Sequence, residues 1–188
     1  MVHEFIVACN ENDLNKIQQM IHMVDMPLNE GFIQACWHGH INVVRYLVQN
    51  IDTDINVHAM EKGFRWACHN GHIDVVKYLV QNTDIDSQAR DEYGFRWACM
   101  NGHIDVVRYL IQNTDIHTRD EDGFIRACLN GQINIVRCFV NFMQCVKYRK
   151  LNKISQFIPN INNTRNHATT YLINVGKYMN HPNNNFIL

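Results

Sequence analysis

Two residue types recur at spacings that could support chemistry. Cys9, Cys36, Cys68, Cys99 and Cys128 form a ladder, and His40, His72 and His103 each stand four residues after a ladder cysteine. Thiolate and imidazole so placed could ligate zinc. With seven cysteines and eleven histidines, a thiol–imidazole nucleophile of the cysteine-hydrolase kind is also formally available. Comparing the copies with one another argues against both. The position of His40, His72 and His103 holds Gln132 in the last copy and Asp13 in the first. A position that accepts His, Gln or Asp asks for a hydrogen-bonding side chain, not for a metal ligand or a base. The cysteines fall on the inner face of a short helix, and helices stacked about 8–10 Å apart keep their Cα atoms beyond the roughly 7 Å that a disulfide spans. They are expected to be small buried core residues. The histidines are expected to bond backbone groups of turns. A hydrolase would further need an orienting group, oxyanion donors and a pocket, which the pattern does not build. No catalytic residue, metal or cofactor is expected.

The elements that carry these residues repeat. GFIQACWHGHINVVRYLVQN begins at Gly31 and recurs as GFRWACHNGHIDVVKYLVQN from Gly63, GFRWACMNGHIDVVRYLIQN from Gly94 and GFIRACLNGQINIVRCFVNF from Gly123, at spacings of 32, 31 and 29 residues. A degenerate copy, FIVACNENDLNKIQQMI, begins at Phe5, which makes five units. Each reads as two short helices and an exposed connection. Phe64, Ala67 and Cys68 share one face of the first helix, which Asn70-Gly71 closes; Ile73, Val76, Leu79 and Val80 share one face of the second. Asp74 sits where the second helix's dipole favours a negative charge, with Lys77 further along. The polar QNTDIDSQARDEYG, with one buried-looking Ile85, reads as a turn or finger rather than a helix. Ordering some 30 residues at about 1–2 kcal/mol each outweighs what a few buried side chains return, so no unit folds alone and the units must stack.

NGHIDVVKYLVQN, followed by a D-I-D or D-I-N step and a glycine-marked turn, resembles the ankyrin repeat over residues 1 to about 142. The resemblance implies an all-α solenoid of paired short helices with turn or finger connections, closed by a C-terminal helical cap. Units are expected at about 1–27, 28–59, 60–90, 91–119 and 120–142, with 143–188 as a basic, Asn-rich cap or extension. The family's Thr-Pro-Leu-His opening is absent; Gly-Phe-Arg-Trp or Gly-Phe-Ile-Gln stands there instead. That FRWAC/NGH variant, with 24 asparagines, resembles ankyrin proteins of giant DNA viruses of the mimivirus kind. The implied function is non-enzymatic binding of a host or viral protein in a concave groove, in the host cytoplasm.

Composition agrees with such a role. Apolar residues make up 46% of the 188, enough for a continuous core. The opening MVHEFIVACNEND does not read as a signal peptide, and no apolar run approaches the roughly 18 residues that cross a bilayer. An odd cysteine count favours free thiols in a reducing compartment, so a cytoplasmic, monomeric protein without membrane insertion is expected. The net charge of −1 conceals asymmetry: residues 1–140 hold 11 basic against all 18 acidic residues, and residues 141–188 hold six basic and no acidic ones.

Candidate contacts are Trp37, His38, Glu61, Lys62, Arg65, Trp66, His69, Glu92, Tyr93, Arg96, Trp97, Met100 and Asp122. Trp and Arg concentrate binding energy at interfaces, and the resemblance places the first helices and fingers along the groove. Two readings stand for Trp66 and Trp97: partner contact, or scaffold in which identical residues of adjacent units stack on each other. Trp37, unique to its unit, leans toward contact. The finger tips Met60-Glu61-Lys62, Asp91-Glu92-Tyr93 and Glu121-Asp122 vary between units, as a tuned surface or a drifting loop would.

Beyond the repeats, NFMQCVKYRKLNKISQFI reads as one more helix and a second follows Thr164. Two readings of the residues apply: a cap on the stack, or a basic strip of Lys147, Arg149, Lys150 and Lys153 touching nucleic acid or an acidic surface; the resemblance to viral ankyrin proteins implies a third, an F-box-like pair recruiting a host ubiquitin ligase, although its Leu-Pro opening is missing. Six charges interspersed with Asn give weak, salt-sensitive binding at best, so nucleic acid is not the expected partner.

Overall fold

The computed structural model describes residues 1–49, 55–83, 87–113 and 120–145. Lys147, Arg149, Lys150 and Lys153, Ile85 and the helix expected after Thr164 lie outside the described residues. Five helix pairs follow in chain order: α1 (Val2–Asn10) with α2 (Leu14–Met20), α3 (Leu28–His38) with α4 (Ile41–Gln49), α5 (Val57–Asn70) with α6 (Ile73–Asn82), α7 (Ser87–Asn101) with α8 (Ile104–Asn113), and α9 (Asp120–Leu129) with α10 (Ile133–Cys145). No strand occurs among the described residues. First helices pack side by side in the order α1, α3, α5, α7, α9, and the second helices α4, α6, α8 and α10 form a layer against them. This is an all-α repeat solenoid.

Its core is one continuous cluster in which each unit supplies equivalent side chains. Phe5, Phe32, Phe64, Phe95 and Phe124 run through the first layer with the ladder cysteines; Val44, Val76, Val107 and Val136 run through the second. Each first helix from the second unit to the fourth ends at a left-handed glycine, such as Gly39 at φ 75° and Gly71 at φ 78°. The stop predicted at Asn70-Gly71 is therefore found. The second helices begin two residues later, and Asp13 caps α2 by accepting from the Lys16 amide at 3.0 Å.

The connections differ from expectation. Residues 60–62 and 87–93, read as finger, belong to α5 and α7, whose opening turns start at Val57 and Ser87. Asn56 accounts for this locally: its side chain accepts from the Ala59 amide at 2.8 Å and so starts the helix early. Consequently Met60-Glu61-Lys62 and Asp91-Glu92-Tyr93 sit on helices rather than at loop tips, and Glu121-Asp122 lies inside α9. The boundaries at 59/60 and 90/91 fall within α5 and α7, and the one at 142/143 falls within α10, so Met143 continues the fifth unit's second helix.

The glycine that precedes each Phe is no turn residue either. Gly31, Gly63, Gly94 and Gly123 are buried mid-helix, where glycine costs about 0.5–1 kcal/mol relative to Ala. Close approach explains them. A Cβ on Gly63 would stand 2.6 Å from Phe32 Cε1 and 2.9 Å from Cys36 Sγ, and Gly31, Gly94 and Gly123 meet the Phe and Cys of the preceding unit in the same way. The Gly-Phe…Ala-Cys string is thus a joint: its glycine receives the ring and thiol of the unit before.

Candidate functional site

The residues that suggested chemistry are structural. All five ladder cysteines are buried. Burial pushes the Cys9 and Cys128 thiols up to about 12 and holds Cys36 well above its ordinary value, so each stays protonated near neutral pH. Among the described residues, no three His, Cys, Asp or Glu side chains gather to hold a metal.

The histidines bond the backbone as expected, but across units rather than within turns. Nε2 of His40 donates to the Asn10 carbonyl at 2.7 Å, that of His72 to Trp37 at 2.8 Å, and that of His103 to His69 at 2.8 Å. Gln132 donates from Nε2 to Met100 at 3.0 Å, which explains why Gln substitutes for His. The acceptor is always the residue after a ladder cysteine, near a helix end whose carbonyls lack intrahelical donors. Asn70 and Asn101 donate to the same carbonyls at 3.0 and 2.9 Å. The Asn-Gly-His string is therefore a clip onto the preceding unit. The imidazole lies over that unit's glycine: a Cβ on Gly39 would come 2.5 Å from His72 Nδ1. Burial lowers the His72 pKa, and the nearby His103, His40 and His38 lower it further against the opposing bond to Trp37.

What remains at the surface of the first-helix layer is an aromatic row. Trp37 packs on Trp66 with ring centroids 4.0 Å apart. His69 lies 5.4 Å from Trp66, edge to face, and 4.9 Å from Trp97. Trp66 and Trp97 therefore do not stack on each other as their identity suggested. Because neighbouring first helices are offset, the residue after one unit's cysteine meets the tryptophan before the next unit's cysteine. Trp37 and Trp97 remain 38% and 39% exposed, enough to offer ring area to a partner, while Trp66 is partly buried against the core.

Lys62, Arg65, Trp66, His69 and Trp97, all sequence candidates, line one open cleft of about 370 Å³ together with His58, which sequence reasoning missed. The signal for His58 was present: positions 58, 62, 65, 66 and 69 share a helical face. It became visible only once residues 57–62 proved helical. The other candidates lie apart. His38 is exposed and stacks on His40 at 5.7 Å. The Glu61 carbonyl accepts from Arg65 Nε at 3.4 Å. Arg96 pairs with Asp122 across α7 and α9, Asp122 also accepts from Arg126 at 3.1 Å, and the Arg96 guanidinium lies 5.6 Å over the Tyr93 ring. Met100 is half-buried. Glu92 belongs to α7, and its side chain lies outside the described ones. No helix among the described residues is long and apolar enough to cross a membrane.

No curated protein matches the chain. A family model described as Ankyrin repeats (3 copies) matches residues 5–91 and, in an overlapping second match, 61–120. Families of this kind are generally protein–protein interaction modules. With more than half its residues inside that match and five helix pairs stacked as described, the chain belongs to the ankyrin-repeat family.

Proposed function

We propose that this protein is a non-enzymatic scaffold that binds another protein through the exposed face of its first-helix layer. One observation carries the reading: Trp37, Trp66, His69 and Trp97 form an unbroken row of rings, with Lys62 and Arg65 beside it. Aromatic and arginine side chains on a rigid layer supply contact area at little ordering cost on binding. The buried, protonated thiols and the clipped histidines offer a reaction nothing to work with. The finer part of the proposal is that the protein acts as a monomer in a host cytoplasm and comes from a giant DNA virus. Its support is the FRWAC/NGH form of the repeat and the asparagine content. The ligase-adaptor and basic-tail readings rest on residues 143–188 and gain no support from the described side chains.

The test is capture with wild-type protein beside the Trp37→Ala plus Trp97→Ala variant, which removes the two exposed rings and leaves the core-packed Trp66 in place. Loss of the captured partner with the melting temperature kept supports the proposal. Equal capture by both proteins refutes the site.

A further inference from the structure

The cleft beside the aromatic row contrasts in charge with the net balance of the repeat body. Residues 1–140 carry 11 basic against 18 acidic residues, yet among the described residues those that line this cleft are Lys62, Arg65 and four aromatic or imidazole rings (His58, Trp66, His69 and Trp97), with no carboxylate. It is a cationic, aromatic island on an acidic body. We infer that it receives a short acidic segment of a partner protein, with carboxylates toward Lys62 and Arg65 and an apolar side chain against Trp66 and Trp97. The inference rests on the protein-binding reading above and specifies the partner's chemistry.

Three observations support this occupant. First, the Arg65 bond to the Glu61 carbonyl engages Nε, one of five guanidinium N–H donors, and holds the side chain along its own helix. A carboxylate meeting a guanidinium held in this way forms a charge-assisted bond with little further ordering. Second, a Trp wall on either side of His69 gives an aliphatic or aromatic neighbour a surface that excludes water. Third, the island is small. Glu30 on α3, which accepts from Gln34 at 2.8 Å, lines a neighbouring cleft together with His58 and Lys62. A nucleic-acid strand running past Lys62 would bring its phosphates toward this carboxylate, and like charges repel. A peptide with only a few acidic residues need not extend that far. Charge and size therefore favour an acidic peptide over a polynucleotide.

All three tryptophans of the chain belong to the row, so its intrinsic fluorescence reports on the site. A displayed library of random peptides is selected against the full chain, and enriched clones are synthesised and titrated by tryptophan quenching. Clones with Asp or Glu next to an apolar residue are expected. Their affinity should fall about tenfold or more in high salt, in the amide analogue (Glu to Gln and Asp to Asn within the peptide), and in the Lys62→Glu plus Arg65→Glu variant at unchanged melting temperature. Should that variant fail to fold, the amide analogue decides with wild-type protein: affinity equal to that of the acidic peptide overturns the inference. Enrichment of neutral or basic clones whose binding is lost on Trp37→Ala plus Trp97→Ala overturns the acidic partner but leaves protein binding at this face intact. Clones that bind both tryptophan variant and wild type equally, or no enrichment at all, remove the underlying reading as well. An oligothymidylate probe that quenches more tightly than any selected peptide replaces the peptide with nucleic acid.

Discussion

Each first helix has two faces with opposite habits. On the buried face the second to fifth units carry the same residues: Gly31, Gly63, Gly94 and Gly123, the phenylalanine after each, and the Ala-Cys pair beyond. On the exposed face the units differ. Trp37, His69, Met100 and Leu129 share one position, and Gln34, Trp66, Trp97 and Arg126 share another. Contact explains the difference. A buried residue here touches the equivalent element of the next unit, so a change in one alters the fit of two. An exposed side chain meets solvent, and its identity is free to serve a ligand. Scaffold and recognition are thus divided by helix face rather than by stretch of chain.

The sharpest way to break this contrast is from the buried side. Phe64, fully buried between two units, is expected to cost about 3–5 kcal/mol on Phe64→Ala, read by denaturant unfolding. A loss below about 1 kcal/mol would mean that the joint does not depend on the ring. Gly63→Ala should come next. The added Cβ overpacks Phe32 and Cys36 at about 1–3 kcal/mol, against about 0.5–1 kcal/mol gained from better helix formation. A net stabilisation would show that the units are not in close contact there.

The clip sits between the two faces in effect. The folded-state pKa of His72 is lowered from 6.5, so the unfolded chain takes up its proton more readily. Its contribution is therefore complete above pH 6.5 and is lost as pH falls through the lower folded value. The melting temperature should decline on that acid limb. His72→Gln should keep stability at neutral pH, because Gln132 makes the same bond, and should give a shallower decline. An unchanged slope would remove His72 as a contributor. The smallest stability effect belongs to the exposed face: Trp97→Ala should change stability by about 0.5 kcal/mol or less while weakening partner capture. A loss of several kcal/mol would make Trp97 part of the scaffold.

Much of the fold was legible from spacing. The five units, the apolar faces of both helices and the inertness of the cysteine ladder follow from residues compared with their own copies. The site was legible only in part. Lys62, Arg65, Trp66, His69 and Trp97 were named individually, but no periodicity within one unit says that His69 separates two tryptophans, or that Trp37 reaches forward to Trp66. His58 was missed because the polar run before Gly63 looks like a loop, and its helical state depends on the Asn56 cap and on packing against the unit before.

The order of residues along the chain determined what each unit is: two helices, which of their faces must be covered, and that a neighbour must cover them. Those properties are local, set by backbone geometry and by where apolar side chains recur along a single helix. Tertiary structure alone decided how one unit meets the next. The offset between adjacent helices chose Gly63 as the seat for Phe32 and Cys36, gave the His72 ring the Trp37 carbonyl, and brought the rings of three units into one row. Such pairings depend on the relative placement of separate helices, a quantity that no interval in the sequence measures.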